Sequence, residues 1–424
     1  MLDIQFVKDN REAIAEAIKN KGVEADLPKL LELDDRRRGL ITELEELRQQ
    51  RNRLSAGSGE QAAEAGRKLR QEINRLEEQL KPLEEEFNAE LYRIPNLPSP
   101  DTPVGNSEEE NEVVYESGSK PEFGFKPKPH WEMGQFIDEE RAVRVSGKRF
   151  SFLKGDFVLL QLALIQYGLD VLTDESVLAG ITKDKGLKVA SKPFLPILPP
   201  TMMRTKPYLA TNRLQMKGDT FKLAEDDLWL TGSAEHTLCA YFLGETLEQA
   251  DLPVRLVGYN TAYRREVGSA GKDTRGIIRQ HQFDKLEMES FSDQETSFEE
   301  HKFMIAIQEY LMERLELPFR TVLKCTFDMG GPNIRGVDIE TWMPGQDLYR
   351  ETNSADYLGD YQARGLNTKF ISADGKRQLV HTNDATVFCQ RHIVAILENN
   401  QLEDGRVRVP KVLQPYLKGR EILG

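Results

Sequence analysis

The chain has 424 residues, with 57 Lys and Arg against 70 Asp and Glu and a formal net charge of -13. A chain this long buries most of its unfolded surface and divides into two or three domains. Its acidic balance excludes a protein that coats nucleic acid through bulk electrostatics, which needs clustered Lys and Arg.

The opening residues, MLDIQFVKDNREAIAEAI, alternate apolar and charged side chains at helical spacing and lack the basic flank and apolar run of an export signal. No window approaches the roughly 20 apolar residues of a membrane span, and mean hydropathy is -0.53, so a soluble protein is expected. Cys239, Cys325 and Cys389 stand far apart in no metal-ligand spacing, which argues against a disulfide framework or zinc ribbon and fits a cytoplasmic setting. Asn10 is placed to cap a short helix with Ala13, Ile14, Ala17 and Ile18 on one face and its end near Gly22.

From Leu33 the pattern becomes a heptad: Leu33, Leu40, Leu47 and Leu54 recur every seventh residue, with Leu30 and Leu44 between them and Arg37 and Arg51 as interruptions. After SAGSGEQ a second seam follows through Leu69, Ile73, Leu76, Leu80, Leu83 and Phe87. Two such helices around a Gly/Ser turn fold back as an antiparallel hairpin, an arm on the order of 40 Å long with a kink expected at Pro82. Alone, the hairpin reads either as a packing or dimerisation element or as a reaching arm offering Arg36, Arg38, Arg48, Arg53, Arg67, Lys68, Arg70 and Arg75 to phosphates. The Pro-, Asn- and acid-rich RIPNLPSPDTPVGNSEEENE then marks an interdomain linker. These signals divide the chain into residues 1–100, a linker over 101–115 and a second domain over 116–424.

In the second domain, helical runs over Phe157 to Leu172 and Thr296 to Leu315 mix with strand-like runs FLPILPP, LVGYNTAYRRE, VDIETWM and DATVF. Without βαβ alternation, the expected class is α+β, a largely antiparallel sheet flanked by helices. YNTAYRRE and RQHQFDKLEME read as a hairpin around the polar loop GSAGKDTRG. That loop is no P-loop, because Glu266 replaces the first required glycine and Asp273 follows the lysine. Arg264 and Glu266 fall on one pleat face with Phe283 and Glu287, so an arginine that can grip a phosphate meets a ring that can stack on a base. Three weaker signals follow. Ser233 and Glu235 in LTGSAEHTL suit a turn around a small polar ligand or a helix cap; Glu351 and Ser354 in RETNSADYLGDYQAR offer hard oxygens of the kind Mg²⁺ takes, or cap a helix. Arg391, after the polar turn HTNDAT, sits near a helix N-terminus where anions bind.

In order, LPP at 198–200, SAE at 233–235, YRREVGSAGKDTRGIIRQHQFDKLE, ETNSADYLGDYQAR and the late arginine before IVAILENNQ resemble the bacterial type of seryl-tRNA synthetase, a class II aminoacyl-tRNA synthetase. The likeness spans nearly the whole chain, including MLDIQF, the helical hairpin and PKPHWEMGQFIDEERAVRVSGKRFSFLKGD. It implies an ATP-dependent serine--tRNA ligase whose arm grips the long variable region of tRNA(Ser) and which also serves tRNA(Sec). It further implies a homodimer with Pro200 in its interface, one subunit's arm serving the other's site.

By the same resemblance Arg264, Arg265 and Glu266 contact ATP, Phe283 is the adenine platform and Arg391 the third-motif arginine. Glu351, Thr352, Asn353 and Ser354 complete the ATP site, Glu351 and Ser354 holding Mg²⁺; Ser233, Ala234, Glu235, Arg264, Glu287 and Thr386 surround serine. Two departures stand out. Ser233 replaces the usual Thr, and HTNDATVFCQR is one residue shorter than the family's usual pattern around HTLNGSG, with Gln390 where Gly precedes the arginine. The shortening leaves the serine contact between Ala385 and Thr386, of which Thr386 alone carries a hydroxyl. A non-charging structural or regulatory dimer, or an enzyme adenylating serine for another acceptor, are the alternative readings.

Overall fold

A computed structural model describes the chain except residues 55–59, 215–217, 268–272 and 274, with the backbone alone described over 60–63. The contacts divide it into two units, Met1–Leu97 and Pro98–Gly424. In the first, α1 (Ile4–Asp9) is capped by the Asp3 carboxylate, which accepts from the Gln5 and Phe6 amides. Asn10 does not cap α2 (Arg11–Asn20) through its side chain; its Nδ2 donates to the Phe6 carbonyl at 2.8 Å instead. Ile14 and Ala17 are buried while Ala13 is exposed.

The two seams pair as expected. α3 (Leu27–Leu54) and α4 (Glu60–Leu91) bury Leu30, Leu33 and Leu44, and Ile73, Leu76, Leu83 and Phe87, with Leu40, Leu47 and Leu80 packed partly against that cluster. Leu54 is exposed, and most of the SAGSGEQ turn lies outside the described residues. The heptad tolerates Arg37 because its guanidinium lies 4.5 Å from the Phe87 ring centroid. α4 runs on through Pro82 to Leu91. Of the cations expected to face phosphates, Arg48, Lys68 and Arg75 pair with Glu77, Glu64 and Glu72, whereas Arg36, Arg38, Arg53, Arg67 and Arg70 are exposed.

The expected linker is structured as part of the second unit. The Ser99 amide donates to the Ile334 carbonyl at 2.8 Å and the Thr326 amide to Pro103 at 2.8 Å; Arg335 pairs with Asp101 at 2.8 Å. Its end becomes an edge strand. The eight-stranded sheet comprises β1 (Glu112–Ser117), β2 (Leu195–Ile197), β3 (Val254–Tyr263), β4 (Gln282–Ser292), β5 (Phe319–Leu323), β6 (Arg335–Met343), β7 (Leu348–Gly359) and β8 (His381–Cys389). They lie in the order β1-β5-β6-β7-β8-β4-β3-β2, all antiparallel except the β2–β3 pair.

Strand alternation gives this sheet two unlike faces. One face, including Val257, Leu286, Met288, Ile339, Ala355, Ala385 and Val387, packs on α5 (Asp156–Thr173), α7 (Ser297–Arg314) and α8 (Gln390–Asn400). Gly168 of α5 approaches closely: a Cβ there would meet Leu286 Cδ2 at 2.8 Å. Contrary to the sequence expectation, α5 is long and apolar enough to cross a membrane by length and composition. Phe157, Leu160 and Leu164 are buried in the core, and Val158, Leu159 and Leu162 are exposed.

Truncating Leu76→Ala, fully buried between α3 and α4, is expected to cost about 2–5 kcal/mol locally. Hydrogen exchange should show lost amide protection in both helices and unchanged protection in β3, β4 and β8.

Candidate active site

The opposite face of the sheet is polar. Phe283, Lys285, Glu287 and Glu289 alternate along β4; Thr386 faces Glu287 and Asp384 faces Glu289 across β8, and Asp356 on β7 faces Asp384. A short helix, α6 (Glu235–Leu238), lies on this face. It can approach because Gly258, paired with Glu287, has no side chain; a Cβ there would meet Leu238 Cδ1 at 2.9 Å. That approach brings Ser233 and Glu235 to Glu287.

Over this face opens a cavity of about 240 Å³ whose lining includes Glu235, Arg264, Glu266, Phe283, Glu351, Thr352, Ser354, Thr386 and Arg391. Strand β3 stops at Tyr263, so Arg264 and Glu266 reach the cavity from the following turn and not from a pleat. Arg264 Nε donates to the Gly232 carbonyl at 3.0 Å, and its guanidinium lies 5.2 Å from the Phe283 ring centroid. Glu266 adopts φ 53°, costly for a residue with a Cβ, and its carboxylate accepts from Arg279 at 2.6 Å. The returning segment is anchored beneath. The buried His130 donates from Nδ1 to Glu398 at 2.8 Å and accepts at Nε2 from the Ile277 amide at 3.1 Å.

Glu351 and Ser354 lie inside strand β7, not at a helix start. In a regular strand, residues three apart face opposite ways, but here Ile339 pairs with Asn353 and Glu340 with Glu351, so Thr352 is an extra residue. This bulge turns Glu351 to the same cavity as Ser354. Likewise HTNDAT is strand β8, not a turn, and leads directly into α8. Arg391, in the first turn of α8, donates to the Glu351 carboxylate at 3.0 Å and to the Glu351 carbonyl at 2.9 Å.

Behind the other end of the cavity, which Thr386 and Lys285 line, Ser233 Oγ and Thr386 Oγ1 donate to the same oxygen of the fully buried Glu287 at 3.1 and 3.3 Å, and Lys285 contacts it too. Arg213 donates to Asp384 at 2.8 Å and to Glu235 at 3.1 Å. Burial would raise the Glu235 carboxyl, but Arg213 and Lys285 outweigh it and hold it at about 2. Burial pushes His236 down to about 3 against the pull of Glu235, so its ring is neutral, and it accepts from the Gly232 amide at Nδ1 at 3.3 Å. Burial also opposes ionisation of Glu351, yet Arg391 and Lys324 hold that half-exposed carboxylate at about 2. An ionised Glu351 lining the same cavity as Ser354 is the kind of partial oxygen set Mg²⁺ takes when phosphates complete its shell. No cluster of three or more His, Cys, Asp or Glu side chains able to hold a metal alone occurs among the described residues.

Five expected residues lie outside the cavity lining: Ser233 and Glu287 are fully buried behind it, and three sit elsewhere. Arg265 is exposed, its guanidinium 5.8 Å from the Phe221 ring centroid, outside the cavity lining. Asn353 is buried on the helix-packed face, donating to the carbonyls of Thr386 and Val387 at 3.0 and 2.9 Å. Ala234 is buried in an apolar cluster with Leu238 and Phe291. Between Ala385 and Thr386, it is Thr386 that lines the cavity; Ala385 belongs to the core. Sequence reasoning missed Arg213, His236 and Arg279. Lys285 was also passed over as a site residue, although its place in phase with Phe283 and Glu287 was a readable signal.

Residues 1–98 match the family described as seryl-tRNA synthetase N-terminal domain, and residues 220–400 match tRNA synthetase class II core domain (G, H, P, S and T). The serine--tRNA ligase of Symbiobacterium thermophilum is 38% identical, the match covering 100% of both chains. That of Rubrobacter xylanophilus is 37% identical over 100% of this chain and 99% of its own. The crystal structure of seryl-tRNA synthetase from Pyrococcus horikoshii complexed with ATP superposes with a TM-score of 0.85 at 34% identity, covering 100% of this chain and 99% of that one.

Glu289 supplies a pH test. Both of its oxygens are buried without a hydrogen-bond partner among the described residues, and burial, with Asp384 and Glu235 nearby, raises its carboxyl well above the ordinary range. The folded state therefore retains a proton that the unfolded chain loses above about pH 4.3, and stability falls as pH rises through that window. Glu289→Gln should raise the thermal midpoint at pH 8 by roughly 2 °C or more, a gain that shrinks towards zero near pH 4.5.

Proposed function

The chain belongs to the seryl-tRNA synthetase family, and from that membership we propose how its cavity works. It is an ATP-dependent ligase that activates serine as seryl-adenylate, releasing pyrophosphate, and then transfers the seryl group to tRNA(Ser), releasing AMP. What supports this reading is the convergence of Arg264, Phe283, Glu351 and Arg391 on one cavity whose lining also includes Glu235 and Thr386, with Glu287 buried directly behind Thr386.

The serine carboxylate arrives ionised, so its attack on the α-phosphorus needs no base. The residues act by alignment and by stabilising charge that builds at phosphorus. Arg264 takes the α-phosphate and Arg391 the terminal phosphate, with Phe283 stacked on the adenine and Glu266 alongside. Glu351 and Ser354 would hold the Mg²⁺ that accompanies ATP, which when bound would supply positive charge at the phosphates. Asn353 acts through the backbone of β8, and the backbone at Thr352 through the bulge that aims Glu351.

Glu235 or Glu287 takes the serine ammonium, and Glu287 with Thr386 and Ser233 meets the hydroxyl. A site built to bond that hydroxyl penalises alanine, which leaves those groups unpaired. In the second step the terminal adenosine hydroxyl of tRNA attacks the carbonyl carbon of the adenylate and AMP leaves.

The α3–α4 hairpin carries the tRNA contact through exposed Arg36, Arg38, Arg53, Arg67 and Arg70, gripping the long variable region of tRNA(Ser) and of tRNA(Sec). The enzyme works as a homodimer. Exposed Val158, Leu159 and Leu162 on α5, with Leu195 and Leu198 near Pro200, form the apolar surface that a second copy would cover, and one subunit's arm serves its partner's cavity.

Serine-dependent ATP/pyrophosphate exchange followed by transfer to tRNA(Ser) separates this reading from a non-charging dimer and from an adenylating enzyme with another acceptor. Arg264→Ala should lower the exchange kcat by about 10²–10³-fold while KM for serine moves far less; unchanged exchange would refute the assignment. Arg67→Glu with Arg70→Glu should leave exchange intact and raise KM for tRNA(Ser) about tenfold, more steeply at low salt.

A further inference from the structure

Arg213 comes from outside the sheet, in the segment after the short helix Thr205–Ala210, and lines the cavity. One of its terminal nitrogens is shared between Glu235 at the start of α6 and Asp384 on β8. It thereby adds a second, ionic link between two elements already joined through Glu287: the turn carrying Ser233 and Glu235, and the strand carrying Thr386. Glu235 has one oxygen on Arg213 and the other 3.4 Å from Ser233 Oγ. Asp384 stands two residues before Thr386 on the same face.

We infer that Arg213 is a positioning and specificity-determining residue of the amino-acid subsite, clamping Glu235 to β8 so that its carboxylate stays fixed to receive the substrate ammonium. This rests on the function proposed above. It names a residue that contacts no reacting atom and acts through Glu235.

The charges around Glu235 give the clamp a second consequence. Glu287 and Glu289 on β4, Asp384 on β8 and Asp356 on β7 surround it with acidic groups, against Arg213, Lys285 and Arg264 with the neutral His236. Cys239 and Tyr208 are the remaining titratable neighbours. Arg213 is the strongest of the cations acting on Glu235. Without it, burial raises the Glu235 carboxyl, and a protonated Glu235 cannot pair with an ammonium. In the intact protein, Glu235 stays ionised throughout the neutral range, so it adds no pH dependence to serine binding there. In a variant lacking the cation, binding weakens as pH falls.

The test is serine-dependent ATP/pyrophosphate exchange by the full-length protein between pH 6 and 8. Losing a hydrogen bond between charged groups is expected to raise KM for serine about tenfold or more in Arg213→Gln. KM for ATP should move less than about threefold, as a 1.4 kcal/mol loss confined to one subsite requires. KM for serine should climb further from pH 8 to pH 6 in this variant alone. Arg213→Lys, which keeps the cation but as a more strongly hydrated ammonium on a flexible stem, should show a smaller rise and a flat profile. Asp384→Asn, which releases one side of the clamp, should fall between wild type and Arg213→Gln and carries the test should the glutamine variant not fold.

An unchanged KM for serine in Arg213→Gln and Asp384→Asn would overturn the proposal. So would equal rises for serine and ATP without a pH trend, which would mark Arg213 as merely structural. If the wild-type protein itself shows no serine-dependent exchange, the functional reading fails first and this inference with it.

Discussion

The ion pair between Arg391 and Glu351 joins the parts of the cavity that sequence keeps apart. Arg391 rises from the first turn of α8, Glu351 from a bulged strand, and a further contact at 3.5 Å links Arg391 to the Ile278 carbonyl in the segment returning to β4. One guanidinium therefore sets the spacing of three elements and still faces the cavity. Its carboxylate partner is half-exposed, so the pair is not sealed away from a polyanion or its metal ion.

The sheet imposes the complementary constraint. Its two faces differ in chemistry: one is packed by three helices, the other carries Lys285, Glu287, Glu289, Thr386, Asp384 and Asp356 beside a smaller apolar cluster around Leu256 and Phe291. Because strand periodicity is two, a one-residue slip in β4 or β8 would drive these charges into the core and the core residues Met288 and Ala385 into the cavity. Register and site are thus specified together. The cost is a concentration of buried acids that no hydrophobic core would contain, stabilised by Arg213 and Lys285 from within the site. The enzyme retains an unfavourable charge arrangement beside its cavity.

Much of this was legible in the sequence because it follows from periodicity. The Leu seams of α3 and α4, the hairpin of β3 and β4, and the alternation of Phe283, Lys285 and Glu287 are local patterns, and Arg391 at the start of an apolar run follows the same logic. The bulge at Thr352 was not legible, since it arises from pairing with Ile339 and Glu340 across β6, and its absence from the pattern made a strand resemble a capped helix start. Arg213 was equally hidden: a lone arginine in TNRLQMKGD acquires meaning only when folding brings Asp384, 171 positions away, to its side. The linker misled for a related reason. Its Pro- and Asn-rich composition describes a segment without a period, and such a segment can still be held by backbone hydrogen bonds to a neighbouring sheet edge.

The central claim is that cationic side chains from two distant segments act on one triphosphate beside a stacked purine. A crystal structure of the protein with a non-hydrolysable ATP analogue and Mg²⁺ tests it most directly. The account predicts the base against Phe283, the guanidinium of Arg264 on the α-phosphate and that of Arg391 on the terminal phosphate of the same molecule. A nucleotide bound elsewhere, or one touched by only one of the two arginines, would contradict it.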